Sequence, residues 1–332
     1  IPKADDPGTQ YVPFGRMLLI MNGIDPMWKF WGRGKSNSFG FSLPTPAPTV
    51  SGVDVTYQEG NATAWKRPTP EMQSISLHWK GGDPDPIGLG EISEDINNSY
   101  TYRVSFITDT GSSSPMSPPA SVGWITTSPT PAFAHNVIGR YAVLLSGIPK
   151  GPDGTVARRI YRTKNQRGGS DGNGSTLYYV TQLNDNTTDE YCDVATDGHL
   201  GDEVSITDSV LIENNYKFGT AWNGSMWLGG GEANPNKIIY SARGLPEQFA
   251  MFDYFDVGVR DGGAVTGLVP FYNNLIVFRE KAIDMIQYTA AGDGKYSITT
   301  ISTSIGTVAA NSAAIVPNVG LCFLAKDGVY SI

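Results

Sequence analysis

The chain has 332 residues, of which 39 are Gly, 22 are Pro and 16 are Tyr, and only 17% are charged. This length exceeds one ordinary domain, and the composition favours many short strands and turns over long helices. The net charge of −8 excludes a broad basic surface for sequence-independent DNA binding, and the two cysteines, Cys192 and Cys322, are too far apart for a disulfide framework.

Residues 1–43 are predicted to carry one hairpin of a repeat that returns near the end of the chain. Met17–Met21 forms one strand, Asn22-Gly23 is a two-residue turn signal, and the return strand starts at Trp28. Prolines at 44, 46 and 48 then break regular structure and predict a linker.

Residues 44–128 and 129–212 are predicted to be two β-sandwich inserts, each resembling a fibronectin type III or immunoglobulin-like module. In the first, Tyr100, Tyr102, Val104 and Phe106 alternate with polar residues, which predicts one buried face and one solvated face. A proline-rich joint at 128–131 precedes the second insert. Each range has roughly 80 residues, enough for a seven-stranded sandwich.

Residues 213–332 repeat the frame of the first hairpin three more times. The four frames are Phe14–Met21, Trp222–Gly229, Phe271–Phe278 and Pro317–Leu324. Apolar residues recur at offset four (Leu18, Met226, Leu275, Leu321) and at offset six (Ile20, Leu228, Val277, Phe323). The later frames start 49 and 46 residues apart (222 to 271, 271 to 317), as propeller blades do.

The first interval, 208 residues from 14 to 222, equals one period plus about 160 residues, which the two inserts fill. The predicted fold is therefore all-β, a β-propeller that is incomplete in this chain and interrupted by two β-sandwich domains. Residues 1–43 are its first blade segment, and 213–332 are its later blades. Within them, Leu245–Phe249 is predicted to form one helical turn, with Pro246 at its first position.

No catalytic, cofactor-binding or metal-binding residue is predicted. The histidines, His78, His135 and His199, stand beside no serine or cysteine nucleophile, and no Gly-x-Ser-x-Gly elbow occurs. Carboxylates at 83, 85, 91, 94 and 95, and at 185, 189, 190 and 193, are typical of solvated turns, although a glycosidase pair would need such groups. The segment 171–175 hints at a calcium loop but lacks a closing Glu.

Two residue classes leave alternatives open. Arg158, Arg159 and Arg162 favour a solvated strand with cross-strand ion pairs, but they could instead meet an acidic neighbour or a phosphate. Scattered tryptophans in a β protein are mostly core residues, yet exposed ones stack on sugars. The tryptophans in question are Trp28, Trp31, Trp65, Trp124 and Trp227.

The run Tyr240–Phe249 resembles the Ser-x-x-Gly-x-Pro-Glu-x-Phe signature of bacteriophage tail structural proteins. The segments 267–278 and 320–330, and the strand Arg159–Thr163 after Gly-Ile-Pro at 147–149, are also similar to that class. The chain as a whole resembles tail nozzle, or tail tubular, proteins of short-tailed phages. Such proteins are usually longer, so we expect the chain to be part of a longer polypeptide.

The resemblance implies a structural virion protein without catalytic residues or cofactors. It implies self-association into a ring, expected to be a hexamer, around a conduit through which double-stranded DNA passes without sequence-specific binding. The expected partners are a head-to-tail adaptor and tail fibre proteins, and no membrane-spanning segment is predicted. The alternative is a carbohydrate-active or receptor-binding β-propeller protein of the virion.

Overall fold

A computed structural model of the protein describes residues 8–31, 36–58, 61–66, 74–78, 100–122, 139–164, 176–193, 195, 197–258, 263–289 and 296–332. Every paired strand in these ranges is antiparallel. The described ranges contain no α-helix, and two short 3-10 turns, Asp197–His199 and Ala310–Ser312, complete the regular structure. The predicted all-β class is confirmed.

The strands are, in chain order, β1 (Gln10–Phe14), β2 (Met17–Met21), β3 (Trp28–Phe30), β4 (Ser36–Ser38), β5 (Thr49–Gln58), β6 (Asn61–Lys66), β7 (Ser74–His78), β8 (Tyr100–Thr108), β9 (Ala120–Val122), β10 (Gly139–Ser146), β11 (Thr155–Arg162), β12 (Leu177–Leu183), β13 (Glu190–Asp193), β14 (Glu203–Val204), β15 (Phe218–Trp222), β16 (Ser225–Gly229), β17 (Lys237–Tyr240), β18 (Tyr254–Asp256), β19 (Val265–Phe271), β20 (Asn274–Arg279), β21 (Ile283–Tyr288), β22 (Tyr296–Ser302), β23 (Ala314–Val316), β24 (Gly320–Ala325) and β25 (Gly328–Ser331).

The chain divides into two compact units. Unit 1 comprises Ile1–Phe41 together with Ser209–Ile332, and unit 2 comprises Ser42–Asp208. Unit 2 therefore interrupts unit 1 in sequence. The predicted boundaries at 43/44 and 212/213 lie two and four residues from these divisions.

Unit 1 contains four small sheets whose strands pair in chain order. Sheet 1 is β1–β4, sheet 2 is β15–β18, sheet 3 is β19–β22 and sheet 4 is β23–β25. Each begins with the hairpin of one repeat frame, and its second strand starts at offset three of that frame. The residue at offset one takes a left-handed conformation in all four copies: Gly15, Asn223, Tyr272 and Asn318 have φ of 57°, 49°, 52° and 62°.

The predicted turn at Asn22-Gly23 is wrong in one respect. The tight two-residue connection is Gly15-Arg16, between β1 and β2, whereas 22–27 form a longer connection from β2 to β3. The Asn22 side chain closes the start of that longer loop, since its Oδ1 accepts hydrogen bonds from the N–H groups of Ile24 and Asp25. This Asx turn is the local alternative that Asn offers to a hairpin turn.

Successive sheets of unit 1 pack through apolar clusters. Met21 and Leu19 of sheet 1 meet Met226 and Leu228 of sheet 2. Trp227 of sheet 2 shares a second cluster with Leu275 and Val277 of sheet 3. Ile276 and Phe278 on the opposite face of sheet 3 meet Leu321 and Phe323 of sheet 4. Sheets 2 and 3 are therefore buried on both faces, because each has a neighbouring sheet on either side.

The offset-four and offset-six residues are buried in sheets 2, 3 and 4, but not in sheet 1. There the buried residues of β2 are Met17, Leu19 and Met21, while Leu18 and Ile20 are half-buried on the opposite face. In sheets 2, 3 and 4 the residues at these offsets face the preceding sheet, and sheet 1 has no preceding sheet among the described residues. The two faces of β2 therefore correspond to those of the other copies, and only the covering of one face differs.

Unit 2 contains two five-stranded sheets. Sheet 5 has the order β13-β10-β5-β6-β7, and sheet 6 has the order β14-β12-β11-β8-β9. This differs from the predicted division at 128/129, because both sheets combine strands from the ranges 44–128 and 129–212. The long pairing of β5 with β10, from Thr49↔Ser146 to Thr56↔Gly139, crosses that boundary.

Candidate functional site

The segment Tyr240–Phe249, which carries the phage-tail resemblance, holds sheet 1 against sheet 2. Glu247 is fully buried, and both of its carboxylate oxygens accept hydrogen bonds from the Lys29 ammonium group, at 2.9 and 2.7 Å. The backbone N–H of Gly40 donates to the same carboxylate at 3.2 Å. The Lys29 ammonium also lies 5.6 Å from the centre of the Trp31 ring. One carboxylate thus joins positions more than 200 residues apart in sequence.

The other signature residues are also used in packing. Phe249 is buried in the cluster between sheets 1 and 2. The Ser241 hydroxyl accepts a hydrogen bond from the Met226 N–H at 2.9 Å, and the Arg243 guanidinium donates to the carbonyl and side-chain oxygens of Asn223. The signature is therefore a set of structural contacts around the first hairpin of sheet 2.

The helical turn predicted at Leu245–Phe249 is wrong. The N–H of Gln248 donates to the carbonyl of Leu245, and the N–H of Ala242 donates to the carbonyl of Gln248, which closes a loop of turns. Pro246 and Glu247 are buried within this loop. A proline pre-sets the backbone of a β-turn as readily as that of a first helical turn, so the sequence signal was ambiguous.

The arrangement around Glu247 positions backbone. The Lys29 ammonium group and the Gly40 N–H occupy the carboxylate oxygens of Glu247, so this buried pair fixes the backbone segments that carry the three residues. Sequence reasoning missed this pair. The signal was a lone lysine between aromatic residues in Trp28–Trp31, a position where an apolar residue would be expected.

Trp227 lies in an aromatic cluster between sheets 2 and 3. Its ring stacks on Tyr240 at 4.6 Å and meets Tyr296 edge-on at 4.8 Å. Its indole N–H donates to the carbonyl of Trp222. Trp227 is fully buried, so it cannot stack on a sugar, while Trp28 and Trp31 are half-buried. Trp65 lies in β6, and Trp124 falls outside the described residues.

In unit 2, Arg162 crosses from sheet 6 to sheet 5. Its Nε donates to Asp193 at 2.8 Å and its NH1 donates to Asp197 at 2.6 Å, while the Tyr102 hydroxyl donates to Asp193 at 2.7 Å. Arg162 also lies over the Tyr100 ring, 4.6 Å from its centre. Burial, followed by the charge of Asp193, raises the pKa of Tyr102 well above its ordinary value, so the phenol stays protonated and donates.

Arg158 is fully buried at the other end of the same strand. It donates to the carbonyls of Ile148, Pro149 and Thr188 and to the Asp185 carboxylate at 2.9 Å. Hydrogen bonds from the Thr188 hydroxyl, the Thr188 N–H and the Thr187 N–H hold the pKa of Asp185 below its ordinary value, and Arg158 adds to this. Between the two arginines, Ile160 faces the apolar core that sheets 5 and 6 share.

The prediction of a solvated strand is therefore wrong for Arg158 and Arg162. Their alternation with Ile160 placed all three on the buried face, where the arginines meet acidic neighbours. Arg159 has a cross-strand partner, but this partner is the neutral amide oxygen of Gln182 on β12, to which the Arg159 Nε donates at 2.8 Å, and not the carboxylate of the predicted ion pair. Asp185 and Asp193, two members of the predicted carboxylate cluster, accept hydrogen bonds from these arginines. The first cluster, 83–95, lies outside the described residues.

The expected alternation of β8 also fails, because Thr101 and Ser105 are buried together with Tyr102, Val104 and Phe106. The polar side chains find partners in place of water: the Ser105 hydroxyl, for example, accepts from Ser113 at 3.1 Å. Such pairing is what allows polar residues to line the covered face of a strand.

The remaining candidates for chemistry are the histidines, the segment 171–175 and the two cysteines. His199 is exposed in the 3-10 turn, His78 ends β7, and His135 and 171–175 lie outside the described residues. No cluster of metal-ligating side chains forms among the residues that the structure describes. Cys192 and Cys322 are free thiols. Burial, and then the charge of Asp193, raises the pKa of Cys192 to about 12, which makes it a poor nucleophile.

A scan against protein-family models matches no family, and a search of curated proteins finds no relative. Among solved structures, the chain is similar to the β-propeller domain of Nup133 from Vanderwaltozyma polyspora at 12% sequence identity, over 97% of this chain and 93% of that chain. The TM-score of that comparison is 0.14, which carries no argument about fold or function. In the described ranges, no helix has the length and apolar character needed to cross a membrane.

Proposed function

We propose that this protein is a structural component of a bacteriophage virion, a tail nozzle or tubular protein of a short-tailed phage. The observation that carries the proposal is the placement of the signature at Tyr240–Phe249. Its Glu247 and Phe249 are buried at the junction of sheets 1 and 2, where they hold together the two ends of an interrupted unit. A signature used for packing fits a protein that acts by assembly, and we propose no enzymatic activity.

We further propose that unit 1 is part of a β-propeller and that unit 2 is a fibronectin-like β-sandwich. Small antiparallel sheets that follow one another in chain order and pack face to face are the arrangement of propeller blades. The recurring hairpin, with its left-handed residue at offset one, supports this interpretation. Two five-stranded antiparallel sheets that share an apolar core between them are the arrangement of a sandwich.

In the virion, the protein would form a ring, expected to be hexameric, around the DNA conduit. It would link a head-to-tail adaptor to the distal tail or its fibres. The net charge of −8 supports passage of double-stranded DNA without adhesion, because binding DNA through its phosphates requires a basic surface. Each contact of this assembly would be made by surfaces, not by a cofactor or a metal.

The experiment is mass spectrometry of purified phage particles combined with cryo-electron microscopy of their tails. We expect peptides of this chain in stoichiometric amounts and density for it around the central tail axis. Absence from the particles, or a position away from that axis, would refute the proposal. A glycan array on the purified protein is the complementary test, in which a structural role predicts no binding.

A further inference from the structure

The chain leaves unit 1 for unit 2, and returns from it, at two points that lie side by side within unit 1. The outgoing segment, 39–41, and the returning segment, 209–214, together form the neck of this insertion. Cγ1 of Ile212 lies 4.0 Å from the position that a Cβ atom would take on Gly40. The interruption that unit 2 makes in the sequence of unit 1 is therefore closed in space.

Met27 ties the two segments of the neck together through its backbone. Its N–H donates to the carbonyl of Asn214 at 2.7 Å, and its carbonyl accepts from the N–H of Phe39 at 2.9 Å. Met27 and Phe39 are both buried in the cluster between sheets 1 and 2. Because buried backbone groups need partners, separating the two segments would leave these groups unpaired. Met27 is thus one bridge across the neck.

The signature segment Tyr240–Phe249 makes a second bridge. The buried carboxylate of Glu247 accepts a hydrogen bond from the N–H of Gly40 in the outgoing segment, at 3.2 Å. Two residues later, the carbonyl of Phe249 accepts one from the N–H of Val210 in the returning segment, at 2.8 Å. One short segment therefore binds the chain both where it leaves unit 1 and where it returns.

We propose that the signature segment is a clamp that closes unit 1 at the neck, so that unit 1 keeps its fold when unit 2 unfolds or is cut from it. Every residue of both bridges belongs to unit 1. A domain tolerates an insertion when the points where its chain leaves and returns lie close together. The clamp holds those points together, and it would do so in this chain whatever the larger assembly.

The clamp matters because the two parts of unit 1, 1–41 and 209–332, are held by few directional contacts. Among the described residues, no strand of sheet 1 pairs with a strand of sheets 2 to 4. The two parts are joined by the apolar cluster between sheets 1 and 2 and by hydrogen bonds that include those of the neck. Apolar contacts are non-directional, whereas hydrogen bonds fix positions. Weakening the clamp should therefore loosen the two parts while each sheet stays paired.

The test cuts the full chain on both sides of unit 2 and asks whether the two parts of unit 1 stay together. A recognition sequence for a site-specific protease is inserted after Leu43 and after Thr207, both outside the strands. The proteins compared are the wild type, Glu247→Gln and the control Val277→Ala, which removes buried atoms between sheets 2 and 3. Size-exclusion chromatography over a range of concentrations, with mass spectrometry of each peak, measures the association of 1–43 with 208–332.

We expect 1–43 to elute with 208–332 after cleavage of the wild type and of Val277→Ala. Glu247→Gln should weaken this association by roughly 30-fold, the equivalent of about 2 kcal/mol, because the charge that balances Lys29 is lost. Separation of the two wild-type parts would overturn the inference, as would equal association in Glu247→Gln and Val277→Ala.

A second measurement uses the uncut chain, so it does not depend on the inserted sequences. Arg162→Met destabilises unit 2 by leaving Asp193 without its cation, and hydrogen exchange with mass spectrometry follows the two units separately. We expect exchange in β8, β11 and β12 to accelerate by roughly 100-fold or more, while exchange in β15–β21 changes by less than about twofold. A parallel acceleration in both units would show that unit 1 depends on unit 2 and would overturn the inference.

Discussion

Within each unit the sheets pack on one another, and the two units differ in the residues that make this contact. In unit 1, apolar clusters fill the space between successive sheets, and the Lys29–Glu247 pair fixes one loop beside them. In unit 2, the apolar core between sheets 5 and 6 is flanked by Arg158 and Arg162, which bind carboxylates and carbonyls across it. Unit 1 also holds the buried Arg279–Asp284 pair, but this pair joins neighbouring strands of sheet 3, whereas Arg162 of unit 2 reaches from one sheet to the other. The contact between successive sheets of unit 1 is therefore mainly apolar, whereas the contact between sheets 5 and 6 also depends on charged partners.

The largest effect should follow from removing an arginine of unit 2. Arg162→Met leaves Asp193 buried without its cation, which should lower the free energy of unfolding of unit 2 by about 3–5 kcal/mol. The matched control is Arg159→Met in the same strand, whose partner is the half-buried Gln182, with an expected loss of about 1 kcal/mol or less. Urea denaturation measures both, and equal losses would show that the buried contact of Arg162 with Asp193 does not stabilise unit 2 more than an ordinary cross-strand hydrogen bond does.

Next in size is a change to the apolar packing of unit 1. Leu228→Ala opens a cavity between sheets 1 and 2 and should cost about 3 kcal/mol, since Leu228 is fully buried there. Leu18→Ala, on the face of β2 turned away from sheet 2, should cost about 1 kcal/mol. If Leu18→Ala proved as costly as Leu228→Ala, the assignment of the two faces would be wrong.

The signature pair should have a smaller effect. Glu247→Gln keeps an acceptor for Lys29 and for the Gly40 N–H but removes the charge that balances Lys29. We expect a loss of about 2 kcal/mol. The double variant Lys29→Met with Glu247→Leu should recover most of it, because no buried charge is left without a partner. A thermal unfolding series of the three proteins decides this.

The free energy of unfolding of unit 2 should fall by about 1 kcal/mol at alkaline pH because of the Cys192 thiol. Burial raises the pKa of Cys192 to about 12, whereas an unfolded chain has a thiol pKa of about 8.5. The protonated thiol therefore contributes stability that is complete below about pH 8.5 and is lost as the pH rises towards 12. At about pH 9.3 the loss should be about 1 kcal/mol, and Cys192→Ala should remove this component of the alkaline slope. An unchanged slope in the variant would show that other groups carry it.

The smallest expected effect is a gain. Tyr272 has a φ of 52° and is 84% exposed, whereas the equivalent turn positions hold Gly or Asn. Because Asn tolerates the left-handed conformation better than Tyr, Tyr272→Asn should stabilise unit 1 by about 0.5 kcal/mol. Asn223→Tyr is the reciprocal change and should destabilise it. A loss of stability in Tyr272→Asn would mean that the contact of the Tyr272 ring with Phe271 outweighs the backbone strain.

The sequence located the recurring hairpins of unit 1 well, because each has a short turn and an alternating strand that are visible within ten residues. Local sequence could not show which face of β2 a neighbouring sheet covers, because every residue of Met17–Met21 is apolar. Nor could it determine strand partners. The pairing of β5 with β10 depends on register between segments that lie far apart, so strands assigned to separate inserts share one sheet.

The contacts of the signature Tyr240–Phe249 could not be predicted from local sequence either. Glu247 and Lys29 are separated by 218 residues, and no local sequence pattern around either residue indicates the other as its partner. The burial of Arg158 and Arg162 was missed for a different reason. Composition treats arginine as a surface residue, whereas the alternation with Ile160 already placed all three side chains on one face of β11.

The most direct test of the account is a cryo-electron microscopy map of the assembled protein in which side chains are resolved. We predict that Glu247 lies against the Lys29 ammonium group and the Gly40 N–H, and that sheets 1 to 4 pack on one another in chain order. A map in which Glu247 faces solvent, or in which these sheets do not pack on one another, would contradict it.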